Sequence, residues 1–152
     1  MDIGIVWNSG TFSGDWDVTT SDLATDIGGL RSAVLLSLFT DAAAPDSYVP
    51  PGGGPFRRHG HWSDTFEGYE IGSLLWTLNR SIKSDDRDLL NTAQDICQSA
   101  LQWLITEGVV SSVTVRTGWW RSQPNVIGIT INIVRPQSPP VTFNFPWAWQ
   151  GV

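Results

Sequence analysis

Ile127-Gly128-Ile129-Thr130-Ile131-Asn132-Ile133 carries four isoleucines on alternate positions, with Gly, Thr and Asn between them. Successive side chains of a strand point to opposite faces, so this run has one apolar face to bury and one polar face to leave wet. The same period of two appears earlier at Val113 and Val115, and later at Val141, Phe143 and Phe145. Turn chemistry separates the three runs, Ser122-Gln123-Pro124-Asn125 in the first gap and Pro136 to Pro140 in the second. Together they predict an antiparallel meander of three strands with one buried face.

Before Gly108 the period is 3.6 instead of 2. Leu89, Ala93, Ile96, Cys97, Ala100, Leu101, Leu104 and Ile105 form one helical stripe. Ser84 is placed to cap it, Asp85 and Asp86 complement the positive end of its dipole, and Gly108 stands at the C-cap. Ile71, Leu74, Leu75 and Leu78 predict a shorter helix upstream. Ile27, Leu30, Val34 and Leu38 predict a first one. Ala33, Leu35, Leu36 and Phe39 widen its stripe, so it should be buried on most sides, with Asp26 as N-cap and an end near Thr40-Asp41. Ile3 to Trp7 reads as a short strand, and Asn8 to Asp22 as turns and loop. Helices first and strands last give an α+β class, with three helices packed on an antiparallel sheet built mainly from the C-terminal meander. Residues 1–152 form one domain on this reading, with a long Pro/Gly-rich loop at about 41–64 that carries Gly52-Gly53-Gly54 and Arg57-Arg58-His59-Gly60-His61.

Composition excludes several classes of function. Net charge is −6, with nine basic and fifteen acidic side chains and a single lysine, so a phosphate backbone finds no basic surface here. No apolar run is long enough for a membrane span. The start, Met1-Asp2-Ile3-Gly4, lacks a basic n-region, which predicts cytoplasmic synthesis without a secretory leader. One cysteine, Cys97, cannot form an internal disulfide and suits a reducing compartment.

No catalytic or cofactor-binding constellation is expected. His59-Gly60-His61, with Asp64 and Glu67 nearby, is the one metal-like feature, and it lacks the three or four ligands that a zinc site needs; a solvated basic loop is the expected role. Cys97 lies on a helical apolar stripe, where a small buried hydrophobe is expected. Asp15 with Asp17, and Asp85 with Asp86, sit where acids serve turns and helix starts. The triple glycine lacks the Lys and Ser/Thr of a phosphate loop.

Nine tryptophans in 152 residues are the compositional anomaly. Trp76 and Trp103 lie beside helical stripes and are expected to be largely buried. Trp119 and Trp120 point to opposite faces of a strand end, and Trp147 and Trp149 share one side of an extended segment after Pro146. Pro146 cannot donate to a ladder, so this end of the chain belongs at a sheet edge or beyond it. Trp119, Trp120, Val141, Phe143, Phe145, Trp147 and Trp149, with Arg57 and Arg58 of the loop, are the candidate partner-binding residues.

Gly28-Gly29-Leu30-Arg31-Ser32-Ala33-Val34, leading to Ser37-Leu38-Phe39-Thr40-Asp41, resembles the opening helix of the Mu-like phage baseplate wedge family, gene product forty-six. Gly60-His61-Trp62-Ser63-Asp64, then Ile71-Gly72-Ser73-Leu74-Leu75-Trp76 with Arg80, is similar to its second block. Ala100-Leu101-Gln102-Trp103-Leu104 with Glu107-Gly108-Val109 is similar to its third. The resemblance runs in order from about Ile3 to Trp147. It implies a structural, non-enzymatic subunit of a contractile tail baseplate, assembled in the host cytoplasm and present in several copies around the tail axis. The partners it implies are other wedge proteins, the tail sheath, and the tail tube or hub. The Glu-Pro-Arg triplet of the related T-even wedge proteins is absent here, so no residue role carries over from it. The rival reading is a small carbohydrate-binding module that stacks sugars on exposed tryptophans.

Overall fold

A computed structural model describes residues 5–16, 26–50, 52–61, 64, 70–80, 87–120, 123 and 126–148. The meander stands as expected: β3 (Ser112–Trp119), β4 (Val126–Val134) and β5 (Val141–Ala148) form an antiparallel sheet in the order β3-β4-β5. The β4 isoleucines 127, 129, 131 and 133 are all at most 1% exposed, and Val113, Val115, Phe143, Phe145 and Trp147 join them on the same face. Each such side chain contributes about 1.5–3 kcal/mol relative to an exposed one, which makes this face the keel of the core. Thr130, Asn132, Thr142 and Asn144 take the other face, where Thr130 bonds Asn144 and Thr142 bonds Asn132 across the strands.

Among the described residues two long α-helices, one short one and a 3-10 turn accompany the sheet. α1 (Asp26–Phe39) buries Leu30, Val34, Leu35 and Leu38 while leaving Ile27 and Leu36 exposed. α2 (Arg87–Ala100) buries Leu89, Ala93 and Cys97, packs along β3, and is followed by α3 (Gln102–Thr106). The 3.6-residue stripe predicted one helix through Ile105, and the structure breaks it at Leu101. Leu104 N–H donates to the Leu101 carbonyl, a tight i to i+3 bond, and the bend buries both Leu101 and Leu104 completely. Gly108 ends α3 with φ +70°, the left-handed C-cap position read from the sequence. The capping residues expected at 84 to 86 lie outside the described residues.

Two local readings are corrected. Ile71, Leu74, Leu75 and Leu78 do not form one α-helix: the helical part is a 3-10 helix over Leu75–Arg80. Gly72 explains this, because its φ of +106° lies outside helical space, and Ser73 is held in a parallel bridge with Asp41. Leu75 and Leu78, three apart, are the two that reach the core, which is the spacing a 3-10 turn presents. The segment after Asn8 is also not all loop. β1 (Ile5–Asn8) turns back through an Asx turn, Asn8 Oδ1 accepting from the N–H groups of Gly10 and Thr11, into β2 (Ser13–Trp16). This hairpin seats Trp7 in the core, its ring stacked on Phe39 at 4.2 Å and edge-on to Phe145. No helix among the described residues is long and apolar enough to cross a membrane.

Candidate docking site

The pairing register decides which backbone groups the sheet leaves for a partner. Trp120 N–H donates to the Val126 carbonyl, so those two residues face each other across the β3–β4 ladder. Alternation then turns Ser112, Thr114, Arg116 and Gly118 toward β4, and Val113, Val115 and Thr117 toward the outer edge of β3. On the far side, Val141, Phe143, Phe145 and Trp147 face β4, while Thr142, Asn144 and Pro146 face outward from β5. The Pro146 carbonyl confirms this direction: it accepts a 3.2 Å bond from Trp7 Nε1, off the sheet edge. Proline thus sits where its missing N–H costs no ladder bond, at an outward position of an edge strand.

The two edges differ. Along β3 the Gln98 side chain bonds both the Val113 carbonyl (3.0 Å) and the Val115 N–H (3.1 Å), and Thr117 Oγ1 donates to the Leu90 carbonyl. Along β5, no strand or side chain among the described residues covers the outward backbone of Thr142 and Asn144. Among the described residues this short stretch is the open edge of the sheet.

The side chains expected to meet a partner are placed as follows. Phe143, Phe145 and Trp147 are at most 8% exposed, and Val141 packs at the margin of the core. Their apolar surface is spent inside the domain, because the residues whose backbone faces β4 also point to the buried face. What β5 offers outward is therefore main chain, with Thr142 and Asn144. Trp119 packs against the core and Trp120 lies outward over Gly128, where an added Cβ would come within 2.9 Å of the ring. Trp120 is the one described tryptophan on the outward sheet face, whereas the rival carbohydrate reading needs a row of rings there. Trp149 lies outside the described residues. Trp103 departs from expectation: it is 43% exposed, at the margin beside the buried Leu104, and held by an Nε1 bond to Ser37 Oγ. Leu36, 49% exposed, lines an open pocket of about 190 Å³ with Ile5, Trp7, Leu35 and Phe39.

The long loop has defined internal contacts. Tyr48 packs edge-on to Phe56 and Trp76, and the His59 ring stacks on Trp76 at 3.9 Å while its Nδ1 meets Asp41 at 2.8 Å. Trp76 Nε1 donates to the Ala42 carbonyl, which leaves that indole half-buried as a post for the loop. Arg58 donates from Nε and Nη2 to the Ala44 carbonyl and pairs with Asp46, so it fastens the loop to itself. Arg57 is exposed and takes no part in these contacts. Asp64 accepts from the N–H groups of His61 and Ile71, and Ser73 Oγ donates to the Leu38 carbonyl while accepting from Leu75 N–H. The described part of the loop is thus stitched to the end of α1 and to the 3-10 turn. Among the described residues no group of three or more His, Cys, Asp or Glu is placed to hold a metal ion.

Cys97 is fully buried, and desolvation pushes its thiol from 9.0 up to about 12. The neutral thiol of the folded state keeps its proton where the unfolded chain would lose it. Its contribution to stability is whole below pH 9 and is lost as pH rises from 9 toward 12. Folded protein at pH 8 is expected to resist a thiol reagent that labels the urea-unfolded chain at once; rapid native labelling would place Cys97 at the surface.

Sequence reasoning located the edge strand through Pro146 but missed Thr142, Asn144, Gln98, Leu36 and Trp7. Register and edge assignment require knowing which residues face one another, and no single-residue signal carries that. Comparison with known proteins adds a family. The model of the family described as phage protein GP46 matches residues 30–140. The baseplate protein gp46 of Escherichia phage Mu is 35% identical over 156 residues, covering 99% of each chain. The Mu-like prophage FluMu protein gp46 of Haemophilus influenzae is 31% identical over 149 residues, covering 97% of each.

Proposed function

The chain belongs to the GP46 family of phage proteins, and on that footing we propose that it is a structural subunit of a contractile tail baseplate, a part of the virion. It docks wedge neighbours and helps start the tail sheath, and it carries out no chemistry of its own. The carrying observation is the open β5 edge at Thr142 and Asn144, next to a strand whose apolar side chains are already buried. An edge of this kind gives affinity through main-chain bonds and accepts an extended segment from another chain. Its shortness suits a neighbour bound by several weak contacts in an assembly of many copies. Sheath subunits, wedge proteins, and the tube or hub are the partner classes this reading names. The domain is made and folded in the host cytoplasm before it joins the tail.

The test is Asn144→Pro, which removes the edge N–H at an outward position without emptying the core. The purified variant is expected to stay folded, losing no more than about 1 kcal/mol with the Thr130–Asn144 bond, yet extracts complemented with it should yield few or no sheathed tails. Full-length contractile tails in normal number would show that the β5 edge is not the docking site.

A further inference from the structure

An uncovered strand edge is a template for any chain that can lie beside it, including a second copy of the same protein. The sheet has two edges: among the described residues one side chain, Gln98, bonds two successive outward groups of β3, whereas on β5 only Pro146 is bonded, by Trp7, and Thr142 and Asn144 are left bare. We propose that Gln98 is an edge guard, whose amide takes the place of a fourth strand on β3 and prevents pairing with β3 of a second copy of this chain. The inference does not depend on what docks at β5.

The chemistry is specific to a primary amide. A neutral Gln side chain holds a donor and an acceptor on one planar fork, the pair of groups that a strand residue presents from its own backbone. Nε2 donates to the Val113 carbonyl at 3.0 Å and Oε1 accepts from the Val115 N–H at 3.1 Å. An antiparallel neighbour would bond these same two groups, from two of its residues, as part of its ladder to residues 113 and 115, so the amide occupies the acceptor and donor that such a strand needs. α2 holds the amide there, because its neighbour Cys97 and, one turn earlier, Ala93 are fully buried against the sheet. Position 98 therefore emerges at the margin of the layer, where it is half-buried.

The occupant that Gln98 excludes follows from symmetry. Main-chain pairing demands no particular sequence, and one β3 edge is complementary to another across a two-fold axis. Two antiparallel β3 strands centred near Val115 would merge two three-stranded sheets into one of six. The closed dimer needs both edges bare, and each Gln98 keeps one covered.

The test uses the purified full chain and the variant Gln98→Ala, which keeps a good helix former in α2. Sedimentation is expected to show a species twice the parent mass that grows with concentration. Hydrogen exchange of the Val115 amide should be slow and independent of concentration in the parent. In the variant it should be roughly tenfold faster when dilute, and protected again as the dimer forms. A folded variant that never exceeds the parent's mass would overturn the proposal. So would a dimer in which Val115 stays unprotected, since its interface would lie elsewhere. Should the alanine variant fail to fold, Gln98→Leu, which preserves the packing volume, is read by the same two measurements. A parent whose Val115 amide exchanges as fast as those of Thr142 and Asn144 would overturn it without any variant.

Discussion

Gly72→Ala is expected to lower the denaturant midpoint by an amount equivalent to about 3–5 kcal/mol, among the largest effects of any single substitution in this chain. The residue sits at φ +106°, a conformation open to glycine and strained for alanine. A Cβ there would lie 2.3 Å from the Thr40 carbonyl oxygen, 2.8 Å from its carbon and 3.1 Å from the Ala42 nitrogen. All three are backbone atoms and cannot swing aside. They also belong to the bridge in which Ser73 N–H donates to Thr40 and Ala42 N–H donates to Ser73, so relief of the clash costs those bonds. Gly53→Ala is the internal comparison, since it also has positive φ but open space around a Cβ. It should cost about 1 kcal/mol, the backbone penalty alone. Equal midpoints for the two alanine variants would mean that the end of α1 and the start of the 3-10 turn do not meet as described.

Phe145→Ala is expected to cost about 3–5 kcal/mol in urea unfolding. Phe145 is 1% exposed, lies edge-on to Trp7 and Phe39, and stacks beside Phe143 on its own strand. Truncation would leave a cavity between the hairpin, α1 and the sheet, bounded by large rings that cannot collapse into it. Trp103→Ala, by contrast, should cost only about 1 kcal/mol, because a 43% exposed ring gives up little burial and one hydrogen bond. A Trp103 variant as unstable as the Phe145 variant would place that indole back in the core.

The contrast between these two aromatics marks how far sequence carries. The class, the meander and the buried face of β4 were legible because alternate isoleucines admit one arrangement on a half-buried sheet. The stripe of α2 was legible for the same reason at a period of 3.6. Trp103 was misjudged because it only borders the stripe: Leu104 keeps the buried position beyond Leu101, and which margin of a helix is covered depends on tertiary packing. The turn at Leu75–Arg80 was misjudged because Gly72 reads as an ordinary residue unless its close approach to Thr40 is known. The partner face suffered most. Phe143, Phe145 and Trp147 look like an exposed aromatic strip in isolation, yet the same alternation that aims their backbones at β4 aims their rings into the core. The resemblance blocks around Gly60 to Trp76 turn out to hold Asp64, Gly72 and Ser73, which fasten the long loop to α1. Those residues are structural fastenings, and their pattern alone gave no hint of what they join.

The indole of Trp7 bonds the carbonyl of Pro146 across 139 residues of chain. A contact over that separation forms slowly, because closing so long a loop costs chain entropy before the contact repays it, and in synthesis nearly all the intervening chain must exist first. During synthesis the N-terminal hairpin and α1 emerge long before β5, so Trp7, Phe39 and Leu35 wait with an unfilled apolar surface until the last described strand arrives. The strand that completes the core is also the one that presents the open edge at Thr142 and Asn144. A nascent or prematurely ended chain therefore lacks the Thr142–Asn144 edge on which the proposed docking rests, and leaves the β4 edge unpaired instead. On the proposed docking at β5, the edge that meets a neighbour and the ring that completes the core arrive together, in the last described strand to be translated.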